Sequence, residues 1–429
     1  MKKKYRIILY TSIFLLCVVA SIILVVKKSN SVYEEESKPK VVKHKSMLSM
    51  NLEQTAGSGD YKTVTQSKWP TEGYKFNAEL SRCENGSTLS WDDTKKAVIV
   101  SGNLSDKCYV YFDIYQPTLA EYIKSQYTGT QGENNIYYHD SDLANGAGDN
   151  SYRYAGANPN NFVCFGSDTS PCPTDNLYRI IGVFGENYHG VTGKQLVKLI
   201  KYDYMTTDEL GTDGDYSQTY KEWGMDSTYK GTYGDGERIG VYYWNYKATG
   251  SATNTWSTSL LNKTNLNTNF INNIGTTWAN KIATVTWKVG GNTWANIGTK
   301  TSSVAYTNEI TNPVTTNTTD NATTYSAKIG LMYVSDYGFA ASPDAWTLTM
   351  SSYNNTTATN NNWMYMGLYE WTISRNADNS SSAFRVYFGG GVFYNGVYDC
   401  FGVRASFNLE SSVSYVSGSG SMSDPIVIN

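Results

Sequence analysis

The chain has 429 residues and a formal net charge of −3, with lysines and arginines scattered along it, so it offers no basic field for nucleic acid. That length can bury a sizeable core and exceeds one compact globule once an anchor and a linker are set aside. Its 36 Tyr, 11 Trp and 37 Gly, against only 17% charged residues, suit turn-rich β structure with polar, aromatic surfaces.

In chain order, Ile7 to Val26 is a run without charge, long enough at about 1.5 Å per residue to cross a hydrocarbon layer of roughly 30 Å. Lys2, Lys3, Lys4 and Arg6 precede it and Glu34, Glu35 and Glu36 follow, which predicts a signal anchor over 1–28 in the bilayer, a cytoplasmic N-terminus and an extracellular remainder. The competing reading is a cleaved signal peptide ending at Ala20, which would leave a greasy new terminus from Ser21. Cys17, after Leu15 and Leu16, reads as an apolar membrane residue. Residues 29–70 are polar and lack an apolar period, so a solvated stalk is expected.

From 71 to 116 the pattern alternates with period two, punctuated by Asn85-Gly86 and Asp92-Asp93, which predicts a small antiparallel β domain. Residues 117–151 follow as a helix and a loop: after Pro117, one face carries Leu119, Tyr122, Ile123 and Tyr127, and the loop is rich in Gly, Asn and Asp. One long domain fills 152–429. Tyr178 to Phe184 and Gln195 to Tyr202 read as paired strands, and Leu260, Leu261, Leu266, Phe270 and Ile271 are spaced for a helix. The Asn/Thr-rich stretch from about 290 to 324 reads as an exposed insertion or, on the same polarity, as a disordered segment.

Cys83 with Cys108, and Cys164 with Cys172, are natural local bridges in an oxidising space, which leaves Cys400 free. Only three His occur, His44, His139 and His189, none near a Cys and with no CxxC, so zinc has no ligand set and no metal or cofactor is expected. Asp226, Gly231 and Glu237 match three positions of a calcium loop, but Lys230 falls where an oxygen belongs, so an ordinary Asp/Gly turn is the preferred reading.

The order of motifs across 152–429, about two thirds of the chain, resembles surface proteins of gut Firmicutes and their prophages. These carry a C-type-lectin-like domain related to the formylglycine-generating enzyme. The matching stretches are Tyr152 to Val163, Leu177 to Val183, Trp256 with Leu261-Asn262, Tyr369-Glu-Trp-Thr-Ile-Ser-Arg, Phe401 to Leu409 and Ser417 to Ile428. The segments at Cys83 and Cys108 also look like the small β module that precedes this domain in the family. The resemblance implies an α+β, C-type-lectin-like ectodomain behind a small disulfide-stapled β domain and a transmembrane helix. Oxidising members of the fold use a C-terminal Cys pair and iron-dependent members a His triad. Here Cys400 stands alone in that region and no His follows His189, so no catalytic residues are assigned and an enzyme is not expected.

The resemblance places ligand loops at 371–401. The segment mixes aromatics, Gly and small polar groups in the manner of a paratope. Trp371, Arg375, Arg385, Tyr387, Phe388, Val392 and Phe393 are its first candidate contacts, followed by Tyr394, Asn395, Val397, Tyr398, Asp399, Cys400 and Phe401. No Lys, Glu, Gln, Met or Trp occurs from Thr372 to Leu409, the residue set left when a diversity-generating retroelement randomises adenines in Asn-type codons. The same letters also suit a Gly-rich hairpin whose Phe and Val face a core. The expected function is membrane-anchored recognition or adhesion, with an extracellular protein or glycan as ligand. The alternatives are a structural adhesin or pilin-like subunit and a degenerate enzyme.

Overall fold

The computed structural model describes residues 48–429 apart from 66–67, 71–72, 104, 186–192, 225–226, 247–251, 315–321, 355 and 357–359. The expected membrane segment at 7–26 lies outside the described residues, and among those described no helix is long and apolar enough to cross a membrane. The chain forms two compact units, Met1–Tyr115 and Gln116–Asn429, in a mixed α+β arrangement dominated by sheet.

In the first unit the strand Leu48–Glu53 pairs antiparallel with Tyr61–Val64 and parallel with Cys108–Ile114, which pairs in turn with Tyr74–Cys83. Thr88–Asp92 and Ala97–Ser101 form a separate hairpin. The expectation of a structureless linker over 29–70 is therefore corrected for its described part. Leu48, Met50 and Leu52 alternate with polar residues, and Met50 and Leu52 bury against Val110 and Phe112. The rings of Trp69, Phe76 and Trp91 surround Phe112 at 5.5–5.9 Å. Glu53, buried at the strand end, accepts the Gly59 and Ile114 amides. Cys83 and Cys108 face each other across the ladder and are bonded, as expected.

The second unit is built on two sheets. The first runs Ile329–Gly330, Ser406–Asn408, Leu196–Lys201, Leu177–Phe184, Ser151–Tyr154, Ile136–His139, with Phe162–Cys164 also on Leu177–Phe184, and every pair is antiparallel. Every residue of the two expected hairpin strands is buried, so both faces of the sheet are covered there. The lysines in these strands carry their own counter-charges: Lys198 Nζ reaches Asp336 at 2.5 Å and Lys201 Nζ reaches Glu209 at 2.5 Å. Arg153 pairs with Asp149 at 2.7 Å beside them. Cys164 and Cys172 are bonded, also as expected.

The second sheet runs Tyr216–Thr219, Gly240–Tyr243, Cys400–Gly402, Glu370–Arg375, Ser382–Val386, Val392–Gly396, so the segment read as a binding surface contributes to three inner strands and supplies one edge. Helix Leu119–Ser125 is opened by a Thr118/Glu121 capping box and buries Leu119 and Ile123, while Tyr122 stacks on Tyr415. The helical turn Leu261–Phe270 buries Leu261, Leu266 and Phe270; Leu260, expected inside, is exposed.

The expectation of an exposed insertion at 290–324 is also corrected. Ile297, Ala305, Tyr306 and Ile310 are buried, and Asn292 Nδ2 ties the segment together through the carbonyls of Asn308 and Asn312. A few apolar side chains at helical spacing suffice when asparagine satisfies the backbone between them.

Candidate functional site

Arg385 sits in the middle of the Ser382–Val386 strand, opposite Trp371 on one side and Phe393 on the other, so all three share a face. Its guanidinium lies 4.6 Å from the Tyr369 ring, 5.2 Å from Tyr387, 5.5 Å from Phe401 and 5.8 Å from Phe393. Nε donates to Asn395 Oδ1 at 2.6 Å, and Asn395 Nδ2 donates onward to Asp399 Oδ2 at 2.9 Å. Nη1 is buried without a hydrogen-bond partner. Burial pushes the guanidinium down to about 10, so it remains a cation at neutral pH.

The turn that follows is fixed from below. The Tyr387 and Gly391 backbones close it at 2.7 Å, Gly390 takes the left-handed φ of +97° that it requires, and the buried Tyr337 hydroxyl donates to the Gly390 carbonyl at 2.7 Å. Tyr365 donates likewise to the Phe388 carbonyl. At Gly391 a Cβ would stand 2.9 Å from the Ser351 carbonyl oxygen, so the strand can enter only on glycine. At its far end the Val397 carbonyl accepts the Trp244 and Asn245 amides.

Of the expected contacts, Tyr394 (43% exposed) and Tyr398 (56%) face outward. Tyr387, Phe388, Phe393, Asn395, Asp399 and Cys400 are half-buried around Arg385, which is itself buried. Five others are corrected. Trp371, Val392, Val397 and Phe401 are core residues, and Trp371 Nε1 donates inward to the Tyr242 carbonyl. Arg375 is buried with Nη2 on the Val314 carbonyl. Ser382–Val386 is buried at every position, and along the edge strand Val392 is buried while Tyr394, two residues on and on the same face, is exposed, with Phe393 and Asn395 on the Arg385 face. Cys400 is free, and burial pushes its thiol up.

Sequence reading missed five aromatics that the fold brings here. Tyr369 stacks on Phe401 at 5.1 Å and meets Trp223 at 5.4 Å. Trp294 stacks on Phe393 at 5.7 Å and meets Tyr394 edge-on at 5.5 Å. Tyr243, opposite Cys400 in the ladder, stacks on the exposed Tyr246 at 4.5 Å. The run Tyr242-Tyr243-Trp244 carried a signal for this; Trp294, alone in polar sequence, carried none.

His139 is the one histidine among the described residues. Its Nδ1 accepts the Ala147 amide, and burial holds it well below its ordinary pKa, hence neutral. Asp226 lies outside the described residues; nearby, Asp203 collects the Tyr229 hydroxyl at 2.8 Å and the Thr232 amide at 2.6 Å, which accounts for that turn. Among the described residues no group of three His, Cys, Asp or Glu could hold a metal. No family model, curated protein or solved structure matches the chain.

Proposed function

We propose that the chain is a membrane-anchored extracellular binding protein of C-type-lectin-like type and not an enzyme. Its recognition face is the outer part of 385–399 together with Trp294, Tyr243 and Tyr246. The observation that carries this reading is the aromatic-walled Arg385 with half-exposed Tyr387 and Phe393 against it, in a stretch that also exposes Tyr398. Tyrosine and arginine are the residues that most often dominate recognition surfaces, because each gives large contact area or directional bonds for little ordering.

Phe393, Tyr394, Asn395, Tyr398 and Asp399 are all exposed or half-exposed, so replacing the five together by Ala or Ser should leave the fold intact, at a cost of about 1–3 kcal/mol for the lost Asn395 bond to Arg385. Capture of ligand from a mixed extract of extracellular glycans and proteins should be lost in that variant and kept in the parent. An unfolded variant, or one that captures the same ligand as the parent, would move the site elsewhere.

A further inference from the structure

We propose that Arg385 is the anchor for a carboxylate borne by a sugar, so that the ligand class of this face is an acidic glycan. The inference rests on the reading of 385–399 as a binding face and specifies its chemistry. Arg385 is 8% exposed, with Nε engaged by Asn395 and Nη1 buried and unpaired. Nη2 makes no hydrogen bond among the described residues. Two adjacent nitrogens of one planar fork therefore lack an acceptor, and a carboxylate supplies two oxygens at the matching spacing. A buried charged donor left unmet is unfavourable, and a ligand that meets it gains that free energy on binding. Half-exposed Tyr387 and Phe393 flank the guanidinium.

Three features favour a sugar over an acidic peptide. Arg385 and Asp399 are the only charged residues from Phe384 to Gly402, so the face offers one cation to one carboxylate, whereas acidic peptides are met by clusters of arginine. The walls are flat rings, against which the hydrocarbon face of a pyranose lies in van der Waals contact. Tyr398 is exposed and makes no hydrogen bond among the described residues, so its hydroxyl can donate to or accept from a sugar hydroxyl. Asp399 is the acidic group whose field reaches Arg385; it lies beyond Asn395 and leaves the fork itself clear.

The test titrates the full-length chain in mild detergent with trigalacturonate and sialyllactose, against galactotriose and lactose as neutral counterparts. An Asp-rich hexapeptide and inorganic phosphate are the competing anions. At least one acidic sugar should bind about ten-fold or more tighter than its neutral counterpart and tighter than peptide or phosphate. Arg385→Lys keeps the charge and removes the fork, and should weaken that binding about ten-fold in a protein whose near-ultraviolet circular dichroism stays that of the folded parent. Asp399→Asn removes the nearby negative charge and should tighten it about three-fold, a gain that no loss of folding can imitate. Equal affinity for acidic and neutral sugars, preference for the peptide or phosphate, or indifference to Arg385→Lys each overturns the proposal. If no acidic sugar binds while the five-residue variant still loses capture, the face stands and its ligand chemistry is different; if that variant keeps capture, the face itself is abandoned.

Discussion

Adjacent residues of one strand meet two arginines in opposite ways. Glu370 accepts Nε and Nη2 of Arg404 at 2.8 and 2.9 Å, and Nη2 also reaches the Met364 carbonyl, so that guanidinium is held on several sides. Trp371, one position on, is paired in the ladder with Arg385, whose guanidinium makes its only hydrogen bond among the described residues to a side chain on the sheet edge. Burial thus separates structural from available residues inside a segment that reads uniformly as aromatic and small. Trp371→Ala should cost about 3–5 kcal/mol in urea unfolding, whereas Tyr398→Ala should stay within about 0.5 kcal/mol. Similar values for the two would contradict their burial. Cys400 gives a chemical check: a thiol pushed up by burial carries less thiolate, so iodoacetamide should label it at about pH 8 more slowly than an unperturbed thiol, with the rate still rising as pH passes 9. Labelling as fast as a free peptide thiol would remove the basis for that shift.

At the scale of elements, what was legible depended on whether apolar residues lay close together in sequence. The hairpin of Leu177–Phe184 and Leu196–Lys201 stood out because nearly every residue in it is apolar, and both disulfides close over short separations. Strand Leu48–Glu53 went unread because its three alternating apolar residues sit in polar surroundings and find their partner, Cys108–Ile114, far along the chain. Trp294 and the asparagine-tied segment around it were illegible for the same reason, and with them one wall of the candidate site. Asparagine does similar work at the hairpin that presents Arg385. Asn254 Nδ2 lies 2.7–2.9 Å from the carbonyls of Asn376, Asn379 and Ser382, and its amide donates to Ser380. Asn254→Ala should cost about 1–3 kcal/mol and speed amide exchange at 376–382; unchanged exchange there would show that the strands hold the turn unaided.

For the whole molecule, the two units differ in how much apolar material holds them. The first relies on Met50, Leu52, Val110 and Phe112 with one disulfide, while the second buries Trp244, Trp256, Trp287, Trp346 and Trp371 completely. The uncharged run at 7–26 leads to the expectation that the protein fractionates with membranes and that protease added to intact cells or spheroplasts removes everything beyond the stalk. Recovery of a soluble form beginning at Ser21 would show a cleaved leader instead.

The turn at 387–391 has a consequence for the kinetics of any association at this face. Its carbonyls are held by the hydroxyls of Tyr337 and Tyr365, both rooted in the interior, and its entry into the next strand is fixed by the close approach at Gly391. A partner settling there meets a backbone already in its final shape, so little chain entropy is lost on contact and encounter need not wait for a loop to order. Differences in affinity among rim variants should then reside in how long the complex lasts, while the rate at which it forms stays nearly constant.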